Sequence, residues 1–130
     1  MKNSERCSAI KTLTASDTAQ WRHDLPANRS VFGSVEYATI VERFVGHQGR
    51  LLVFDHGKEV VTYPMFLRSV AALPFAADRP SAAWDALSPE YTGPWPLRPL
   101  QAETVEACRR CFAAYCRQAG IITEFAHLHP

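Results

Sequence analysis

The side chains best suited to binding a metal ion lie near the end of the sequence. Cys108 and Cys111 are three positions apart, Cys116 follows them, and His127 and His129 alternate beyond. Thiolates and imidazoles at such spacings are typical zinc ligands. The cysteines, however, lie within a segment of helical periodicity, whereas zinc-binding pairs usually lie on tight turns, and cysteine is a common core residue. The sequence therefore predicts buried thiols and no metal site.

Glu124 is the one acidic residue in an otherwise apolar segment at 121–128. A carboxylate in apolar surroundings can have a raised pKa and act as a general base toward an amine. The same residue could instead lie at the edge of the sheet or pair with Arg68 or Arg117, since ion pairs explain many such charges. Glu124 is therefore a candidate catalytic residue, and both interpretations stay open.

Other candidate residues lie in two further segments. Tyr63 and Arg68 belong to the longest apolar run, where a core position and a solvated strand end explain them most simply. Gly93 and Pro94 follow a tyrosine in a proline-rich stretch, and long loops in compact domains often carry function. Glycine lets a backbone approach a ligand closely, although the same residues could form a turn at the end of a strand.

A predicted β-hairpin at 49–70 organises these residues. Two apolar runs flank residues 55–58, where Gly57 can supply the positive φ of a tight turn. Both alternating sets of the second run are apolar, so helices are expected on both faces of the sheet. Pro64 lacks an N–H group, which predicts a bulge or a break in strand pairing near it.

Two helices are predicted before the hairpin. A Thr-x-x-Asp capping box at 14–17 predicts a short helix that ends before Pro26, with Trp21 as its core anchor. A second helix is predicted at 34–45. Helical spacing indicates a buried stripe of Tyr37, Ile40, Val41, Phe44 and Val45.

The rest of the chain completes a layered α/β or α+β domain. Residues 1–13 are expected to form a flexible lead or an edge strand, and a further strand is expected at 86–94. A third helix is predicted at 101–119, closed by Gly120. A final strand is predicted at 121–128.

The composition restricts the classes of function. The 130 residues fit one domain, and a net charge of +1 argues against DNA as a partner. No apolar run approaches the roughly 20 residues that span a bilayer, so no transmembrane segment is expected. The N-terminal residues lack the apolar core of a signal peptide, and the four cysteines are expected to be reduced. These features predict a cytoplasmic location.

Four segments together resemble one family. They are SVEYATIVE at 34–42, VVTYPMFLR at 60–68, SPEYTGPW at 88–95 and TEFAHLHP at 123–130. In this order and spacing they resemble the first, N-terminal unit of the FemAB-like branch of the GNAT superfamily of N-acyltransferases. The resemblance implies a mixed, mainly antiparallel sheet with helices on both faces, incomplete relative to the family. It also implies a single GNAT-like domain at 14–130, truncated at its C-terminus.

The family transfers an acyl or aminoacyl group to an amine, often in peptidoglycan or other cell-envelope precursors. The resemblance implies acyl-CoA or aminoacyl-tRNA as the donor substrate of the complete protein. The acceptor would be a small-molecule or peptidoglycan-precursor amine, and the expected partner is a second GNAT-like unit or another copy of the chain. The expected substrate-binding residues are Tyr63, Arg68, Tyr91, Gly93, Pro94 and His127.

The chain departs from the family at two places. Only Arg43 is available to hold substrate phosphates near the second helix, and His127 replaces the arginine of the last strand, which weakens such a clamp. The segment 95–101 has no glycine pair, and its prolines remove N–H donors that would cradle a pyrophosphate. No cofactor is therefore expected to bind this chain, which alone is expected to be inactive. The alternative function is a non-catalytic GNAT-like binding or interaction module.

Overall fold

A long β-hairpin forms the centre of the structure, a computed structural model that describes residues 10–26, 30–76, 83–90 and 92–128. The hairpin lies in a six-stranded sheet with three α-helices around it. In chain order the strands are β1 (Ile10–Thr14), β2 (Gln48–His56), β3 (Glu59–Ser69), β4 (Trp84–Leu87), β5 (Trp95–Pro96) and β6 (Ile121–Phe125). The helices are α1 (Thr18–Asp24), α2 (Val35–Phe44) and α3 (Ala102–Ala119). Short 3₁₀ turns cover Val31–Gly33, Val70–Ala72 and Pro74–Ala76.

The sheet is mixed but mostly antiparallel. Its strand order is β1-β2-β3-β4-β6, and β5 pairs with β3 beside this path. Every pair is antiparallel except β4 with β6, which is parallel because α3 carries the chain back across the sheet. The predicted α+β fold with a mixed, mainly antiparallel sheet and helices on both faces is confirmed.

The hairpin turn is tighter than the sequence indicated. The strands continue to the pair His56–Glu59, so only two residues link them, and Gly57 has the expected positive φ of 69°. No bulge is present at Pro64 on the β2 side, where β2 and β3 pair in unbroken register and Leu51 faces Pro64. The predicted break in pairing is present on the other side of β3, where Val61 and Thr62 pair with β5 and residues 66–69 pair with β4. Pro64 lies between the parts of β3 that pair with β5 and with β4. Its missing N–H therefore removes no bond from a ladder.

A first core cluster fills the sheet face covered by α1 and α2. It is centred on Trp21, Leu25, Val35 and Leu51. Trp21 is 1% exposed, and its indole N–H donates a hydrogen bond to the carbonyl of Gly33 at 3.0 Å, as a buried tryptophan requires. The prediction that Trp21 anchors the first helix is confirmed.

The predicted buried stripe of α2 is confirmed only in part, because Tyr37 and Val41 pack partly buried against the first core cluster but the other three members are exposed. Val35 and Ala38 are buried, whereas Ile40 is 54% exposed and Phe44 is 76% exposed. The helix packs closely on the sheet at Ala38. A Cβ atom added to Gly49 would lie only 3.0 Å from the Cβ atom of Ala38, so this approach requires glycine. Glu42 adds a polar contact, because its carboxylate accepts a hydrogen bond from the Gly49 N–H at 2.8 Å. Small residues and this hydrogen bond set the rotation of the helix.

A second core cluster lies on the opposite face, beneath α3. It consists of Leu52, Tyr63, Met65, Leu67 and Ala86. The aromatic rings of Phe112 and Tyr115 on α3 pack against it. Gly120 ends the helix in the left-handed conformation with φ of 73°, as predicted.

The remaining elements differ in extent from their predictions. Residues 10–14 form an edge strand, while residues 1–9 lie outside the described part of the chain. The strand predicted at 86–94 is present only as its first residues, within β4, because the chain then leaves the sheet and returns as β5. The last strand ends at Phe125 rather than at 128. Within the described ranges, no helix is both long and apolar enough to cross a membrane.

Candidate ligand-binding site

A cavity of about 390 Å³ lies between the sheet and the N-terminal half of α3. This volume is within the range of small-molecule sites. The apolar side chains that define its walls are Leu52, Phe54, Val61, Leu100, Val105 and Phe112.

The cavity exists because α3 is held against the sheet only in part. Phe112 packs on the second core cluster, with its ring centroid 5.5 Å from that of Tyr63. About two helical turns closer to the N-terminus of α3, Val105 is about half exposed. Pro94 and Pro96 close one side, since β5 pairs with β3 at Val61. The proline-rich segment therefore forms a wall of the cavity.

Tyr63 supplies the buried polar group of the cavity. It is 5% exposed, and its hydroxyl forms no hydrogen bond of 3.5 Å or less with a described residue, although the Glu124 carboxylate lies close enough to interact with it. An unsatisfied buried hydroxyl costs about 1–3 kcal/mol, and buried tyrosines normally have a partner. Burial, and next the nearby Glu124 carboxylate, raise the pKa of Tyr63 well above its ordinary value. The phenol is therefore protonated at neutral pH.

Glu124 lies at the edge of the same cavity, and its side chain is exposed to solvent. The edge position that was the alternative prediction for Glu124 is confirmed, because β6 is the last strand in the order of the described sheet and Glu124 is exposed on it. Neither predicted ion pair is present: Arg68 pairs with Asp85, and Glu124 makes no ion pair with Arg117. The carboxylate thus brings to an apolar cavity a negative charge that no described residue compensates by an ion pair. Arg109 also lines the cavity, but Glu106 holds its guanidinium through two hydrogen bonds of 3.2 Å.

The cysteines of α3 do not act as reactive thiolates. Cys108 lines the cavity half-buried, and burial raises the pKa of its thiol. Burial and then the Glu124 carboxylate raise the pKa of Cys116 to about 11. Cys111 is disulfide-bonded, which corrects the expectation that every cysteine is reduced. Among the described residues, no group of three or more histidine, cysteine or acidic side chains could hold a metal ion.

Besides Cys108, the cavity brings together three of the residues singled out from the sequence. Tyr63, Pro94 and Glu124 all line it. Tyr91 lies outside the described residues. Arg68, Gly93 and His127 contribute no wall to the cavity, and each has another contact in the structure.

Arg68 holds the sheet together. Its Nε and Nη2 atoms donate to Oδ2 of the buried Asp85 at 3.2 and 2.8 Å, and the Thr123 hydroxyl donates to Oδ1 at 2.5 Å. Three adjacent strands, β3, β4 and β6, are linked in this way. The Thr123 hydrogen bond, followed by those of Arg68, lowers the pKa of Asp85 below its ordinary value.

The Asp85 network predicts a specific dependence of stability on pH. Because the pKa of Asp85 is lower in the folded chain, its contribution is present above the unfolded pKa of about 3.9 and is lost as pH falls through the folded value. Asp85→Asn should lower the free energy of unfolding by about 1.5–3 kcal/mol at pH 6, as expected for hydrogen bonds to a charged group. Urea denaturation should show a smaller difference in the free energy of unfolding between the unsubstituted chain and Asp85→Asn at pH 3 than at pH 6. An equal gap at both pH values would contradict the ionised Asp85 network.

Gly93 and His127 meet neighbouring parts of the chain. A Cβ atom at Gly93 would lie 2.5 Å from Cδ2 of Leu128, so this side chain occupies the space that the glycine leaves. The backbone N–H of His127 donates to the Ser88 hydroxyl at 2.7 Å. Both contacts join the segment after β6 to the segment after β4.

The N-terminus of α3 already holds an anion from the chain itself. Glu59, at the start of β3, accepts a hydrogen bond from the Gln101 N–H at 3.0 Å and another from the Thr104 hydroxyl. The Thr104 bond, and next the Gln101 bond, lower the pKa of Glu59. A carboxylate at a helix N-terminus satisfies free N–H groups and is favoured by the helix dipole.

Arg43 does not approach the cavity. It lies on α2, across the sheet from α3, with its guanidinium 5.6 Å from the centroid of the Phe44 ring. Glu59 and Asp85 were not predicted from the sequence, although each makes a defined contact with a distant hydroxyl. No local pattern indicates either contact, since Glu59 meets a residue 45 positions away and Asp85 one 38 positions away.

Comparisons of the chain with protein-family models, with curated proteins and with solved structures give no match.

Proposed function

We propose that this chain is the acceptor-side part of an N-acyltransferase of the FemAB or GNAT type, which transfers an acyl or aminoacyl group to an amine. The observation that carries the proposal is that the Glu124 carboxylate and the buried Tyr63 hydroxyl lie close together at one apolar cavity. Apolar walls with a few convergent polar groups are typical of sites for small molecules. The mixed sheet with helices on both faces is consistent with the fold implied by the family resemblance.

The reaction requires a neutral amine as nucleophile. Its nitrogen attacks the carbonyl carbon of a thioester or ester, a C–N bond forms, and the C–S or C–O bond breaks as a thiolate or alkoxide leaves, which finally takes up the proton that the amine has released. The amine must also release a proton. Glu124 is the candidate acceptor for that proton, and the protonated Tyr63 hydroxyl would orient the nitrogen.

The donor site belongs elsewhere in this proposal. Glu59 fills the N-terminus of α3, so a pyrophosphate would have to displace a carboxylate that already has two hydrogen bonds. We expect acyl-CoA or aminoacyl-tRNA to bind to a second GNAT-like unit or to another copy of the chain. The acceptor would be a small-molecule amine or the amine of a cell-envelope precursor.

A non-catalytic binding module is the second candidate function. The occupied N-terminus of α3 favours it, because the same carboxylate that fills the expected donor position would leave this chain able to bind an amine but not to acylate it. The two candidates therefore share the cavity and differ in whether a donor is ever brought to it.

The cytoplasmic location predicted from the sequence is kept in the proposal. The disulfide bond of Cys111 weighs against it, because disulfides persist mainly in oxidising compartments. Mass spectrometry of the natural protein, alkylated before reduction, measures the state of Cys111. A fully disulfide-bonded Cys111 would place the protein outside the cytoplasm.

The transferase is tested with the product of the full gene. The protein is incubated with acetyl-CoA or aminoacyl-tRNA and a panel of amines, and acylated amines are measured by mass spectrometry. We expect a product that Glu124→Gln reduces at least tenfold, whereas Glu103→Gln, which alters an exposed acidic residue on α3, leaves it unchanged. Binding of amines without any acylated product would favour the non-catalytic module.

A further inference from the structure

The cavity beneath α3 has a chemical character that specifies its ligand further. Its walls are apolar, yet the Tyr63 hydroxyl in it has no hydrogen-bond partner among the described residues. Buried hydroxyl groups in proteins are almost always satisfied. A bound molecule with a polar group at this point would supply the missing partner.

The negative charge of Glu124 at the edge of the cavity favours a ligand whose polar group is positively charged. Glu124 makes no ion pair with a described residue, and the guanidinium of Arg109 is held by Glu106. A carboxylate or phosphate on the ligand would be repelled by Glu124, whereas an ammonium group would be attracted. A phenol can accept a hydrogen bond from an ammonium N–H while it donates its own proton to a carboxylate.

The walls select the rest of the ligand. Phe54, Val61 and Phe112 can surround a hydrocarbon chain or ring, and a hydrophilic body would lose hydration there without gaining hydrogen bonds. The volume of about 390 Å³ is enough for one ring or a short chain and is too small for a sugar nucleotide with a peptide.

We propose that the cavity binds a primary amine with an apolar body, with its ammonium group between the Glu124 carboxylate and the Tyr63 hydroxyl and its hydrocarbon among Phe54, Val61 and Phe112. This inference rests on the proposed function for the role of the amine as acyl acceptor, in which the bound ammonium group must first lose a proton to become the neutral nucleophile. Binding itself requires no donor. The proposal restricts the acceptor substrate to amines with an apolar body and excludes phosphate-bearing cell-envelope precursors.

Isothermal titration calorimetry on the chain tests the inference with three probes. The first is 2-phenylethylamine, the second is 2-phenylethanol as its uncharged counterpart, and the third is ethanolamine as an amine without an apolar body. We expect 2-phenylethylamine to bind at one site, at least tenfold more tightly than the other two probes. Equal affinity for the amine and the alcohol, or saturable binding of none of the three, would overturn the inference.

Two variants locate the ammonium group. Glu124→Gln should weaken binding of 2-phenylethylamine at least tenfold and leave the affinity for 2-phenylethanol unchanged. Glu103→Gln should change neither affinity. Tyr63→Phe should lower the affinity for 2-phenylethylamine several-fold. Its melting temperature should be unchanged or higher, because the substitution removes a hydroxyl that has no partner in the described structure. A Glu124→Gln protein that still prefers the amine would contradict the proposed position.

The outcome separates this inference from the proposed function. Binding of 2-phenylethylamine without acyl transfer by the full gene product would support the amine site and reject the transferase. Acyl transfer to hydrophilic amines, without binding of 2-phenylethylamine, would support the transferase and reject the apolar amine site.

Discussion

Trp21→Ala should lower the free energy of unfolding by about 3–5 kcal/mol, the range for truncating a buried large aromatic side chain. Trp21 is 1% exposed and packs in the first core cluster between α1 and the sheet. The substitution leaves a cavity and also removes the indole N–H from the Gly33 carbonyl. Since domains of this size are stable by only about 5–15 kcal/mol, the variant loses a large part of its stability.

Urea denaturation followed by far-ultraviolet circular dichroism measures this effect. Trp21→Phe keeps most of the volume and should lose less than Trp21→Ala, which provides a measurable variant if Trp21→Ala does not fold. Phe75→Ala is the matched control, because Phe75 is 85% exposed and its truncation should change stability by at most about 0.5 kcal/mol. Equal losses for Trp21→Phe and Phe75→Ala would show that Trp21 is not a core anchor.

Alkylation of Cys116 should be at least about tenfold slower at pH 8 than alkylation of glutathione, since only the thiolate reacts and little of it is present. Burial and the Glu124 carboxylate raise the pKa of Cys116 to about 11, compared with an ordinary value near 8.5. The rate should therefore still rise tenfold per pH unit between pH 8 and pH 10, where the rate of glutathione levels off.

Iodoacetamide labelling under non-reducing conditions, in a Cys108→Ala background, isolates this thiol. Mass spectrometry then gives the rate as a function of pH. Glu124→Gln should lower the pKa of Cys116 and speed its alkylation at pH 8, because the neighbouring negative charge is removed. A rate that levels off below pH 9 in the unsubstituted chain would contradict the raised pKa of Cys116.

The positions of the helices and strands were predicted from the sequence more accurately than the sides of those elements that are buried. The hairpin around Gly57, the anchor Trp21 and the cap at Gly120 are all marked by local signals, and each is confirmed. The buried face of α2 was mispredicted because hydrophobic periodicity gives no weight to Ala38. Its close approach to Gly49 depends on tertiary packing, which local spacing does not encode.

The candidate site was less predictable than the fold. Tyr63 and Glu124 are 61 positions apart, and each could be singled out alone by residue type. Their proximity depends on the parallel pairing of β6 with β4, in which Glu124 lies opposite Ala86, and Ala86 in turn lies opposite Leu67 of β3. A crossover through α3 fixes this register, and no pattern within either strand indicates it. The contacts of Glu59 and Asp85 were missed for the same reason.

The central claim is that the chain presents an amine site beneath α3 and no donor site at the N-terminus of that helix. A two-ligand NMR titration of the ¹⁵N-labelled chain tests both parts. We predict that 2-phenylethylamine shifts the amide signals of residues that line the cavity, such as Tyr63 and Phe112, and that acetyl-CoA leaves the Gln101 and Thr104 signals unchanged. Saturable shifts at Gln101 and Thr104 with acetyl-CoA, together with no change around Tyr63 with the amine, would contradict the account.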